Sequence, residues 1–311
     1  MKNVLRLSRL AILCFTSALT FSLVTGRSNA QATIHQSDLV PLLTLLGAQH
    51  HKIEAISLSR KILELKPSKE NLAARVLAHK MLGQYDHGRD EKQSLAHLDQ
   101  AIVLKPDDAD LFYSRGVVKF ENGDFQISVA DFKQAIKLDP ARGYLYRMLA
   151  SAYSALGENQ KAVENFSLAL ARLPETHEFY PLCLYCRAQT YEKMQKFDKA
   201  IADYANLIKL HKDSDDAYMH RAACYIKLQQ YDKALLDYDA LAKKDPANDD
   251  LVRARADVLV LKGDRQGALA AYTQAIKLQP SSSNYRARSR AYEQMGRHDL
   301  AEQDIKKARD R

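Results

Sequence analysis

The residues of this chain best placed by type and spacing to do chemistry are two cysteines three apart, Cys183-Leu184-Tyr185-Cys186. On a helix that spacing puts both sulfurs on one face. Buried structural thiols, a disulfide Cys183–Cys186, and a redox or metal role are the readings it leaves open. A redox pair of this kind sits at a strand-to-helix junction, and a zinc site needs a second pair of ligands. The flanking residues continue a helical pattern, and no second pair is in sequence. Cys224 and Cys14 complete the set; with Cys14 in a leader, three cysteines remain, an odd number for an oxidising compartment. Elsewhere there is no G-x-S-x-G, no phosphate-cradling glycine loop and no H-E-x-x-H, and His50-His51 fall at a turn. The carboxylates are spread along solvent faces near lysines. No catalytic residue, no cofactor site and no metal ligand is assigned, and the chain reads as non-enzymatic with no cofactor.

The elements that hold these residues are set by a repeating stretch, Ala109 to Pro140. Phe112, Arg115, Gly116 and Lys119 follow helical spacing, Asn122-Gly123-Asp124 breaks it, and Ile127, Phe132, Ala135 and Ile136 form a second helical stripe ended by Asp139-Pro140. That is two helices joined by a tight turn. Counting Ala109 as place 1, the small residues at places 8 and 20, Gly116 and Ser128, recur as Ala150 and Ala162, Ala188 and Ala200, Ala222 and Ala234, Ala256 and Ala268. The period is about 34 residues, the length of a helix-turn-helix solenoid unit. Small residues at both places let two backbones approach closely, and a proline stops the second helix.

The unit resembles a tetratricopeptide repeat. Place 24 is aromatic in Phe132, Phe166, Tyr204, Tyr238 and Tyr272, alanine recurs at place 27 in Ala101, Ala135, Ala169, Ala275 and Ala308, and proline at place 32 in Pro67, Pro106, Pro140, Pro174, Pro246 and Pro280. The tryptophan frequent at place 4 of that family is absent; Phe112, Tyr146, Leu184, Tyr218, Val252 and Tyr285 stand there. The resemblance covers residues 37 to 311 and implies an all-α fold, a right-handed superhelical solenoid of roughly seven to eight antiparallel helix pairs.

Residues 1–32 read as a secretory signal: Lys2, Arg6 and Arg9 precede an apolar run from Leu10 to Val24, and Ala30-Gln31-Ala32 offers a cleavage site before Thr33. The run is about 15 residues, short of the ~20 that span a bilayer. Export to a periplasmic or secreted location is expected, with membrane attachment only if the signal is kept as an anchor. The net charge is +8, and the four basic residues of the signal, Arg27 included, leave +4. That mild excess does not support a nucleic-acid partner. The expected organisation is a degenerate repeat over 33–68, a repeat with a turn insertion around Asp86–Glu91 over 69–106, two regular repeats over 107–174, an extended link over 175–180 and four repeats over 181–311. The link is the expected place for a bend.

Arginine at place 7 (Arg115, Arg187, Arg221, Arg288) accompanies aspartate at place 23 (Asp131, Asp203, Asp237, Asp304), whereas the unit with Leu149 has Asn165 and Arg255 faces Ala271. An ion pair tying the two helices of a unit is expected. Places 2, 5, 9 and 12 of each first helix turn away from its partner helix, and the resemblance implies that this face lines a concave groove. It carries the candidate partner-groove residues Tyr113, Phe120, Tyr144, Arg147, Tyr185, Gln189, Met219 and Arg253, with the aromatic ones forming an exposed strip beside Arg147. The family's carboxylate clamp has asparagine at place 9; here Val117, Ser151, Gln189, Ala223, Asp257 and Arg290 occupy it. The expected function is an exported, non-catalytic scaffold holding a partner peptide or helix. The alternative is a self-assembling or structural envelope component that uses its ends and its first repeat.

Overall fold

The structure, a computed structural model, describes residues 38–48, 51–85 and 90–311. The expected signal over 1–32, Cys14, His50 and residues 86–89 of the expected turn insertion lie outside the described residues. The described residues form sixteen α-helices and no strand. They divide into two compact units, one ending at Gly157 and the other beginning at Glu158.

The first unit contains α1 (Leu39–Ala48), α2 (Lys52–Glu64), α3 (Leu72–Tyr85), α4 (Glu91–Leu104), α5 (Ala109–Glu121), α6 (Phe125–Leu138) and α7 (Gly143–Ala155). The second contains α8 (Asn159–Arg172), α9 (Phe179–Lys193), α10 (Phe197–Leu210), α11 (Asp215–Lys227), α12 (Tyr231–Lys244), α13 (Asp249–Lys262), α14 (Arg265–Leu278), α15 (Ser282–Gln294) and α16 (His298–Arg309). Within each unit every helix packs on its neighbours in sequence. The longest helix, α9, has 15 residues, and isolated helices of that size are marginal in water. Packing must therefore supply their stability.

The packing centres on places 8 and 20. Ala188 and Ala200, Ala222 and Ala234, and Ala256 and Ala268 all have no exposed surface. At Gly116 an added Cβ would come within 2.7 Å of the Phe132 ring, so even a methyl group would push the ring away. Gly83 does the same in α3, where a Cβ would meet Leu98 Cγ at 2.5 Å and the Ser94 carbonyl oxygen at 3.0 Å. By sequence, Leu82-Gly83-Gln84-Tyr85 reads as the turn of its repeat, a glycine ahead of a polar stretch being a breaker signal. In the structure Gly83 lies inside a helix as the point of closest approach, and α4 resumes at Glu91, capped by the Asp90 side chain on the Gln93 N–H. The Ser94 hydroxyl donates to the Gly83 carbonyl across this contact, and Ser289 donates to the Ala301 carbonyl at 3.0 Å in the last pair. The aromatic residues of place 24 fill the space beside it: Phe132, Phe166 and Tyr204 are at most 1% exposed.

The first pair is built differently. Its place 24 is Ser59, and its core is a set of leucines, Leu39, Leu42, Leu43 and Leu46, closed over Ala55, Leu58 and Ile62. Residues 175–180 form a turn closed by the His177 N–H on the Pro174 carbonyl at 2.9 Å, and α9 already starts at Phe179. The turn inside a helix pair places one residue in the left-handed region. Gly123 and Gly263 take it at φ 88°, while Gln195 and Gln229 take it at φ 56° and 57°, a conformation that costs a non-glycine residue.

Four bidentate ion pairs join first and second helices. Arg115 Nε and Nη2 lie 3.0 and 2.6 Å from the Asp131 carboxylate, Arg187 2.8 and 2.7 Å from Asp203, Arg221 3.0 and 2.5 Å from Asp237, and Arg288 2.7 and 2.9 Å from Asp304. The aspartates are 3 to 5% exposed. Three of these arginines also reach back to place 25 of the preceding second helix. Arg115 bonds Asp99 at 2.6 Å, Arg187 bonds Ser167 at 2.9 Å and Arg288 bonds Thr273 at 3.0 Å. That second contact explains Arg255: with Ala271 opposite in its own pair, it bonds Asp239 of α12 at 2.7 Å instead. One arginine thus sets the angle within a pair and the register between pairs.

In the second pair Leu82 and His97 stand where arginine and aspartate do elsewhere. His79 Nδ1 lies 3.0 Å from His97 Nδ1, a bond that needs one ring to donate and the other to accept. Burial first, then His97 and Arg75, pulls the His79 pKa from 6.5 down to about 4. Folding therefore keeps His79 neutral where the unfolded chain would bind a proton, so this pair loses stability as pH falls from about 6.5 towards about 4. His79→Phe is expected to flatten the fall of melting temperature across that window; an unchanged slope would contradict it. Asp203→Ala leaves Arg187 half-buried without its carboxylate and is expected to cost about 3 kcal/mol in thermal or urea unfolding while leaving partner binding intact. The reverse pattern, lost binding at unchanged stability, would end the structural reading of these pairs.

Candidate functional site

Turning about 100° per residue, places 5, 9, 12 and 13 of a first helix fall on one stripe. In the second unit these stripes adjoin: His220 of α11 bonds residues of α9, and Arg253 of α13 donates to Asn284 of α15 at 3.0 Å. Between α9 and α11 the stripe opens into a pocket of about 900 Å³, lined by Gln189, Glu192 and Lys193, by Gln195 and Phe197 after the turn, and by His220, Ala223, Cys224 and Lys227.

Two of these lining residues, Glu192 and His220, belong to a hydrogen-bond network with Tyr204 and Tyr185. Glu192 Oε1 accepts from the Tyr204 hydroxyl and from His220 Nδ1 at 3.1 Å, and His220 Nε2 lies 3.1 Å from the Tyr185 hydroxyl. One tautomer satisfies all three, with Nδ1–H donating to the carboxylate and Nε2 accepting from the phenol. The His220 ring stacks on Tyr204 at 5.5 Å and meets Tyr185 edge-on at 5.6 Å. Burial, reinforced by Glu192, raises the Tyr204 pKa, and burial raises that of Tyr185. Both phenols therefore stay protonated and act as donors.

The thiol at this pocket is a poor nucleophile. Burial, and then the neighbouring Glu192 charge, push the Cys224 pKa up to about 12, and the thiolate is the reactive form. Cys183 is buried and Cys186 half-buried, both on α9 and both as thiols. Among the described residues no group of three or more histidine, cysteine or carboxylate side chains is placed to hold a metal ion.

The first unit carries a separate aromatic cluster. Tyr113 of α5 meets Tyr144 of α7 edge-on at 5.1 Å and tilts against Phe132 at 6.3 Å. The Tyr144 hydroxyl donates to Asp110 at 3.0 Å and accepts from Arg142 at 2.8 Å. Arg147 is half-buried and near enough to Tyr113 to act on it electrostatically. Phe120 lies apart, edge-on to Phe125 at 5.2 Å across the turn.

The structure thus brings Tyr113 and Tyr144 together in one unit, and in the other sets Gln189 in the pocket wall and Tyr185 against His220. Met219, on the same stripe, is 40% exposed. Arg253 is held at the α13–α15 contact by Asp250 at 2.5 Å as well as by Asn284. The sequence places the aromatic residues on an exposed strip; each is half-buried, because Tyr113 and Tyr144 pack on each other, Tyr185 packs on His220 and Phe120 on Phe125. His220 stands at place 6, outside the places considered for the groove, and its link to Glu192 depends on the register between successive pairs. The cationic rim of Lys193 and Lys227 at place 13 was missed in the same way.

Comparison with known proteins decides the family. The tetratricopeptide repeat model matches residues 113–176, 185–249 and 253–311, more than half of the chain. The chain belongs to the tetratricopeptide repeat (TPR) family. The sixteen helices of the described residues correspond to roughly seven to eight TPRs. Among solved structures it is similar to a TPR protein from Parabacteroides merdae, at 21% identity and a TM-score of 0.52, over 76% of this chain and 93% of that one. It is also similar to MamA, at 19% identity and 0.51, over 56% of this chain and 93% of that one. YrrB, described as a TPR protein with an unusual peptide-binding site, matches at 20% identity and 0.50, over 59% of this chain and 92% of that one. At such identities the likeness is one of fold. No curated protein matches the chain.

Proposed function

We propose that this TPR protein is an exported, non-catalytic scaffold that holds a peptide or helix of a partner protein on its first-helix stripes. The observation that carries the reading is the pocket between α9 and α11, which is open, of peptide dimensions and lined by a His220 ring already fixed by Glu192 and Tyr185. Fixed rings lose little entropy on binding, which is how a TPR stripe can hold a partner without chemistry. The protonated Cys224 thiol and the wholly engaged Glu192–His220 network fit a binding surface better than a reacting one. A peptide site in YrrB supports the same use of the fold. Export rests on the basic and apolar start of the sequence and the small residues before Thr33.

Recovered from an exported fraction, the protein is expected to begin at Thr33 and to capture a partner from envelope extract. Tyr185→Ala combined with Met219→Ala is expected to weaken that capture at least tenfold, the size of effect at an interface hot spot, with oligomer size unchanged by gel filtration. Unchanged capture with altered oligomer size would instead favour a self-assembling envelope component, and a retained N-terminus on cytoplasmic material would overturn export.

A further inference from the structure

Between α3 and α4 two imidazole nitrogens face each other, close to where an arginine and an aspartate cross in four other pairs. His79 and His97 are both half-buried, so the site they form is open to solvent. Their rings are tilted by 45° with centroids 5.2 Å apart, and Nδ1 of one lies 3.0 Å from Nδ1 of the other. In the hydrogen bond one ring offers its proton and the other its lone pair. With the proton of each ring on Nε2 instead, two lone pairs converge on one point between the helices. Neutral imidazole in this state is the commonest protein ligand of a metal ion.

We propose that His79 and His97 bind a divalent transition-metal ion, nickel(II) or copper(II), through their Nδ1 atoms, with water in the remaining positions, and that the ion clamps α3 to α4. The spacing decides the class of metal. With metal–nitrogen bonds of about 2.0–2.1 Å, nitrogens 3.0 Å apart subtend roughly 95° at the ion. A near-right angle suits the square-planar or tetragonal geometry of copper(II) and nickel(II). Tetrahedral zinc needs its nitrogens about 3.3 Å apart. Loading moves one proton from Nδ1 to Nε2 of the ring that donates in the hydrogen bond, with no net gain or loss. Asp99, the next acid along α4, is held by Arg115 at 2.6 Å, and among the described residues no third ligand joins the two nitrogens. Arg75 acts on His79 through space, although its Nη1 is turned to the Leu63 and Leu65 carbonyls at 3.2 and 3.0 Å. Two nitrogens opposed by one guanidinium make an exchangeable site rather than a permanent one. In this pair, which lacks the Arg–Asp couple, the ion takes over the task of joining first helix to second.

The probe is nickel(II) chloride, titrated by calorimetry into the full chain in a non-coordinating buffer, with zinc(II) chloride as the comparison. Nickel is used because copper(II) oxidises free thiols, and Cys183, Cys186 and Cys224 are all free. The unaltered chain is expected to take up one more equivalent of nickel than His79→Phe and one more than His97→Phe, and to hold that equivalent at least threefold more tightly than zinc. Taking the difference against the variants removes ions held by other histidines or by thiols. In hydrogen exchange on the unaltered chain, saturating nickel is expected to slow the amides of α3 and α4 at least fivefold, more than those of any other pair, because an ion that binds only the closed pair stabilises it. This second measurement needs no substitution and decides the matter if either variant loses helix by circular dichroism. Equal nickel stoichiometry in the three folded chains, exchange through α3 and α4 unaltered by nickel, or tighter binding of zinc would overturn the inference.

Discussion

Beyond the leucine-built first pair, the molecule depends on two backbones coming close at one point in a helix pair. A helix of twelve to fifteen residues is too short to persist alone, and its partner can reach it only where neither carries a side chain of any size. Alanine at both places, glycine opposite Phe132, and glycine opposite Leu98 are three solutions to the same constraint. Once the contact is made, the aromatic residue of place 24 is buried beside it, and dispersion across that close-packed interface holds the pair.

Close packing fixes distance but leaves rotation and register open, and the half-buried arginines set both. A guanidinium has donors on two edges. One edge grips the aspartate of its own pair and the other reaches the preceding second helix, so each pair is oriented against the last. Arg221 has Ala205 at the preceding place 25 and relies on Asp237 alone, while Arg255 has lost the inner partner and keeps the outer one. The contacts differ in detail, yet the direction in which the first-helix stripe points is held by the same device. Fixed stripes are what allow Glu192, His220 and Tyr185, from two successive pairs, to meet in one network.

Features that recur were legible in the sequence. The small residues, the aromatic place, the terminating proline and the Arg–Asp couples each appear several times, and a pattern seen in four units is hard to mistake. Features that occur once, or that join one pair to the next, were not. Gly83 reads as a turn because a polar stretch follows it, and the His79–His97 bond replaces an ion pair with residues that no other unit uses. His220 could be recognised only by knowing which residue of α9 faces α11. The exposed or wedged state of Tyr113 and Tyr144 likewise depends on how far apart successive first helices lie, which side-chain spacing along one helix does not encode.

The claim that the close approach at places 8 and 20 holds each pair is tested most directly by hydrogen exchange on an Ala222→Val protein, which adds two methyl groups where Ala222 now lies buried in the core that also holds Ala234. The expected result is loss of amide protection through α11 and α12, the pair that the larger side chain forces apart. Full protection of both helices, with the valine accommodated in place, would contradict it.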